Sequence, residues 1–145
     1  MKISKPQNIL IAIFLLSFLI QLIIGLFGFS KTVISGDDLI SILLKLFAVY
    51  SIHLSMITAG IFGQKAQPGA RKPSNARSVF RLAVILSLIW NIILLWRFFV
   101  FFTAIINPAM EDSVGELIGY VDKIATASSF LVTGMLAYYF TSQSK

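Results

Sequence analysis

The chain has no cysteine, which excludes disulfides, thiolate metal sites and thiol nucleophiles. It has a single histidine, His53. A bis-histidine haem site would therefore require two chains, and His53 is expected to be a hydrogen-bonded packing residue instead. Charge is also scarce. Only 12% of residues are charged, about half the share usual in a soluble domain. No paired carboxylates in a common cavity, no metal-ligand cluster, no glycine-rich phosphate loop and no nucleophile–base set is visible. Enzymatic activity, a metal and a cofactor are accordingly not expected. The formal net charge of +6 is spread over short segments between apolar runs and forms no basic domain, so nucleic acid is not an expected partner.

What is present is hydrocarbon. Of the 145 residues, 57% are hydrophobic, and the mean hydropathy is +0.88. A soluble chain this small leaves too much of its surface wet to hide that much apolar area. The lipid bilayer is the expected solvent. A helix needs about 20 apolar residues to cross it. Four segments qualify: 9–29, 39–62, 82–106 and, least apolar, 117–140. Backbone groups in lipid must pair internally, and runs this long without alternating polarity are helices. The expected fold is all-α: a single domain over residues 1–145, built as an antiparallel four-helix membrane bundle. A signal peptide is the competing reading of MKISKPQNILIAIFLL. Its apolar run of 21 residues exceeds the ~7–15 of a signal core, and no clear small-x-small cleavage site follows. Retention as a true span is therefore expected.

Basic residues stay cytoplasmic. Lys2 and Lys5, the loop residues Lys65, Arg71, Lys72, Arg77 and Arg81, and Lys145 fall on one side, with only Lys31 in the loops opposite. Both termini and the basic loop 63–81 should face the cytoplasm, in a bacterial-type inner membrane. Three other signals mark the connections. Ser35-Gly36-Asp37 is placed to cap the second helix, Asn107-Pro108 to end the third, and Pro68-Gly69 with Pro73-Ser74 to break the loop.

Helices in lipid associate through small and weakly polar residues. Such stripes occur at Ser17, Gln21, Gly25 and Gly28; at Ser41, Lys45, Ala48, Ser55, Ala59 and Gly63; and, most clearly, at Gly115, Gly119, Asp122, Thr126, Ser129, Thr133 and Ala137. The bundle is expected to close along them, with Gln21, His53, Ser129 and Thr133 as polar packing. The third helix is bulky on most sides, apart from the polar pair Ser87 and Asn91 at i, i+4. It should present its Phe/Ile/Leu surface to lipid or a partner. Trp90 and Trp96 are too deep for an interfacial belt and are expected to share one packing or contact face. Tyr138 and Tyr139 fit such a belt at the cytoplasmic boundary.

Residues 87–102, SLIWNIILLWRFFVFF, place Arg97 among lipid-soluble side chains. Counted from the outer ends of their spans, Lys45 is roughly 9 Å deep, Asp122 roughly 8 Å and Arg97 roughly 13 Å. Lys123 adjoins Asp122 but points about 100° away. Asp122 is expected to pair with Arg97 or Lys45, and the remaining bases to snorkel to the headgroups; Arg97 is accordingly explained by Asp122 at its level on the fourth helix. Lys45, Arg97, Asp122 and Lys123, with Asn91 deeper, form the candidate ligand- or partner-binding set. The expected role is non-catalytic recognition of another membrane component, either a different membrane protein or further copies of the chain. By size and topology alone, this resembles an accessory or immunity-type protein that neutralises a pore-forming toxin. An oligomeric transporter or channel around the charged layer is the alternative.

Overall fold

A computed structural model describes residues 5–65, 76–107 and 113–142. They form four helices: α1 (Lys5–Ser30), α2 (Gly36–Lys65), α3 (Ala76–Ile106) and α4 (Val114–Ser142). Three of these, α1, α2 and α3, contain stretches long and apolar enough to cross a membrane. The fourth carries Glu116, Asp122 and Lys123 and is richer in hydroxyl and small residues. The helices run past the expected spans: α2 reaches Lys65 and α3 begins at Ala76, so residues 63–65 and 76–81 of the expected loop are helical. The expectations for Lys2, Arg71, Lys72, Lys145, Pro68-Gly69, Pro73-Ser74 and Pro108 lie outside the described residues.

The helix ends follow from local chemistry. Ser35 and Ser113 each begin a capping box, in which a serine hydroxyl and a carboxylate three residues later satisfy each other's backbone amides. The Asp38 amide donates to Ser35 Oγ (3.1 Å) and the Ser35 amide donates to Asp38 Oδ2 (3.2 Å). The Glu116 amide donates to Ser113 Oγ at 3.1 Å, and the Ser113 amide donates to Glu116 Oε2 at 3.3 Å. The Ser113-Val114-Gly115-Glu116 box was legible in the sequence by this rule and was missed. α1 ends in a Schellman turn. The Val33 amide donates to Gly28 O and the Thr32 amide to Phe29 O. This turn puts Thr32 at φ 58°, a left-handed conformation that a β-branched side chain adopts only with strain.

Around the bundle, α1 packs against α2 and α3, and α4 packs against the same two. The circular order is therefore α1–α2–α4–α3, with α2 and α3 on one diagonal. Their large side chains meet across the centre. Phe14, Tyr50, His53 and Trp90 form an aromatic cluster, with ring centroids 4.6 Å apart for His53–Trp90 and 5.5 Å for Tyr50–Trp90. Phe14 stacks on His53 at 5.2 Å. Leu94, Phe98, Phe101, Leu117, Val121, Val132 and Leu136 continue the core on the α3–α4 side.

Two expectations are corrected here. The small-residue stripes do not all point inward. On α1, Ser17, Gln21, Gly25 and Gly28 are buried, but on α2 Ser41, Ala48, Ser55 and Ala59 are exposed, and so are Gly115, Asp122 and Thr126 on α4. Four helices enclose a central volume that only large side chains fill at interior density. The large residues of α2 and α4 take that space and turn the small ones outward. Close helix approach occurs instead at Gly60, where a Cβ would drive into the Phe140 ring. Trp90 and Trp96 also fail to share a face. Six residues is about 240° of helical turn, so Trp90 is 2% exposed in the core and Trp96 64% exposed outside. α3 does turn Ile85, Ile92, Trp96 and Phe99 outward.

Candidate functional site: a polar seam between α2 and α4

The charged layer expected from the sequence divides into separate places. On α4, Asp122 follows Tyr120 by two residues, about 200° around the helix, so the two face opposite neighbours. Lys45 Nζ donates to Asp122 Oδ1 at 2.5 Å, joining α2 to α4. Arg97 takes no part in that pair. Its guanidinium lies over the Tyr120 ring, 5.7 Å from the centroid, on the α3–α4 side, a cation–π arrangement. Lys123 is exposed on α4 between these two seams. The expectation that Asp122 accounts for Arg97 is corrected: Asp122 pairs with Lys45, and Arg97 lies over Tyr120.

Asn91 belongs elsewhere again. It is buried with Ser17 and Gln21, around Tyr50. Gln21 Nε2 donates to the Tyr50 hydroxyl at 2.6 Å and to Ser17 Oγ at 3.0 Å. Ser17 Oγ lies 2.9 Å from the same phenolic oxygen, and the Tyr50 hydroxyl donates to Asn91 Oδ1 at 3.0 Å. Asn91 Nδ2 donates to the backbone carbonyl of Ser87 at 2.8 Å, and not to its hydroxyl. Tyr50 is thus a hub binding α1, α2 and α3 together. The sequence reading assigned it no role, although a tyrosine at the level of two polar stripes is the residue able to reach both. Three buried polar atoms, Gln21 Oε1, Ser87 Oγ and Trp90 Nε1, have no hydrogen-bond partner among the described residues. His53 is fully buried. Its Nδ1 lies 3.1 Å from Val49 O, and its Nε2 lies 3.5 Å from Thr133 Oγ1, which links α2 to α4. Ser129 is half-buried on the same side of α4.

The Lys45–Asp122 pair sits at one end of an open groove of about 240 Å³ between α2 and α4. Ala48, Val49 and Ile52 line it from α2; Ala125, Thr126 and Ser129 line it from α4. The ion pair is far from enclosed: the Lys45 side chain is 27% exposed and that of Asp122 53%. The hydroxyls of the exposed α2 face are better provided for. Ser51 donates to Ala48 O and Ser55 to Ile52 O, the back-bonding that lets a helical serine face an apolar medium. A charged side chain deep in hydrocarbon costs at least about 2.5–3.5 kcal/mol on insertion scales. Were this face to lie in hydrocarbon, the pair would be its costliest part.

A second cleft, of about 310 Å³, opens at the end of the bundle among Val33, Ile34, Asp38, Phe101, Ile105 and Ser113. It is the larger of the two, but Asp38 and Ser113 are the capping groups of α2 and α4 and are occupied in that role. No group of three or more metal-ligating side chains lies together among the described residues. Comparison with known families, characterised proteins and solved structures finds no match for this chain.

Proposed function

We propose that this is an integral membrane protein in which α4 also crosses the bilayer, with both termini and the basic loop in the cytoplasm of a bacterial-type cell. Its role is non-catalytic recognition: it docks another membrane component along the α2–α4 seam, as an accessory subunit does. The observation that carries this reading is the open groove of small residues ending in the half-exposed Lys45–Asp122 pair. The acyl chains of lipid offer nothing to bond such a pair, whereas a neighbouring helix brings both close backbone approach and polar groups. The bundle centre, meanwhile, is filled by Phe14, Tyr50, Trp90, Phe98 and Phe101. A conducting path needs a polar lining, and the aromatic filling leaves none through the centre of a single bundle.

The test uses a photo-reactive residue in place of Ala48 and, as control, in place of Ile92, in native membranes. A covalent adduct from position 48, absent from position 92, is expected. In parallel, the purified chain alone in liposomes should pass no ion or solute. Flux by the chain alone, lost in Asp122→Asn, would replace docking with transport.

A further inference from the structure

We infer that the α2–α4 groove is filled by the same groove of a second copy, related by a twofold axis running along the bundle, so that Lys45 of each chain meets Asp122 of the other. This rests on the membrane reading above. Copies inserted with one orientation can be related only by an axis along the membrane normal, and across such an axis residues of equal depth meet. Lys45 and Asp122, joined at 2.5 Å, share one depth by construction. The twofold also sets α2 of one chain opposite α4 of the other. Each ammonium then gains a second carboxylate and each carboxylate a second ammonium. The four charges alternate in sign and sum to zero, so the face is complementary to itself.

Two features of the face fit this occupant. Lys45 occupies one oxygen of Asp122, Oδ1, and a carboxylate accepts several further donors. Half-exposed as it is, Asp122 has room for a second ammonium. Ala48 and Thr126, which flank the pair in the groove, are small enough for helices to approach closely. The outer face of α3, with Ile85, Ile92 and Phe99 exposed, has neither the charges nor the small residues. A different membrane protein, or a zwitterionic lipid headgroup, would need to supply from outside the alternation of charge that a second copy brings automatically.

The absence of cysteine makes the test clean. Ala48→Cys, Thr126→Cys and, as control, Ile92→Cys are introduced singly into the full chain and treated in native membranes with a short bismaleimide. The two groove variants should give a product of about twice the 16.1 kDa of one chain, at least tenfold above Ile92→Cys. In the Ala48→Cys background, Lys45→Asp and Asp122→Lys should each lower that product about tenfold when expressed alone, because like charges then meet. Co-expressed with tags of different mass, the two should cross-link to each other. Neither chain regains its own ion pair in that experiment, so a purely internal role for the pair predicts no rescue. The double exchange Lys45→Asp/Asp122→Lys, which restores the internal pair, serves as the folded control. Adducts of any other mass would overturn the second copy while leaving docking intact. No adduct above control would overturn both. Dimer without charge rescue would overturn the exchange of partners between chains.

Discussion

Two polar regions of this molecule, one of neutral hydroxyls and amides and one an ion pair, meet opposite fates. Around Tyr50, the groups of Ser17, Gln21 and Asn91 are closed off and bonded to one another across three helices. Between α2 and α4, Lys45 and Asp122 bond each other but stand open to the surroundings. The difference teaches that polarity in an apolar chain does not by itself say where the interior is. Bulk decides that. Phe14, Trp90, Leu117 and Leu136 fill the centre, and the polar groups that sit behind them become a network while those that sit beside them become a surface. The first region ties three helices together; the second stands open at the surface.

That contrast can be broken in order of expected effect, with stability read from reversible unfolding in detergent micelles. Trp90→Ala empties the centre and should cost about 3 kcal/mol, the low end for truncating a buried aromatic, because the cavity penalty persists where transfer from water does not apply. Tyr50→Phe keeps the ring and removes the hub. Interhelical hydrogen bonds in membranes average about 0.6 kcal/mol, so its three side-chain partners imply a loss of about 2 kcal/mol. Thr32→Gly relieves the left-handed turn after α1 and should add about 1 kcal/mol; no gain would mean the turn carries no such strain. The double variant Lys45→Met/Asp122→Leu should change stability least, by under about 1 kcal/mol, since apolar side chains replace an ion pair at little or no cost. Its effect should appear in association instead. A large stability loss there would erase the distinction between the two regions.

Much of the fold was legible. The apolar runs mark α1, α2 and α3, and Ser35 marks the start of α2, because length and capping are local properties. The α1 stripe was legible for a simple reason: Ser17, Gln21, Gly25 and Gly28 lie on the side facing the two adjacent helices, where small residues permit contact. The α2 stripe and the exposed part of the α4 stripe, Gly115, Asp122 and Thr126, misled because their direction depends on which side the large residues claim, and that requires the order of the helices around the bundle. With α2 and α3 on a diagonal, a connectivity that no local pattern encodes, Asp122 and Tyr120 fall on different seams. Depth alone could not separate Lys45 from Arg97 as the partner of Asp122. The Tyr50 hub escaped for a related reason. Tyrosine reads as an aromatic packing residue until its hydroxyl is seen to reach two other helices at once.

The account turns on whether the α2–α4 seam, open in the single chain, is covered in the membrane. Spin labels attached to single cysteines at Ala48 and Thr126, compared with Leu16 and Ile92, report this through their collision rate with oxygen dissolved in the bilayer. Low rates at Ala48 and Thr126 beside high rates at Leu16 and Ile92 are predicted. Equally high rates at all four positions would show the seam bathed in lipid and contradict it.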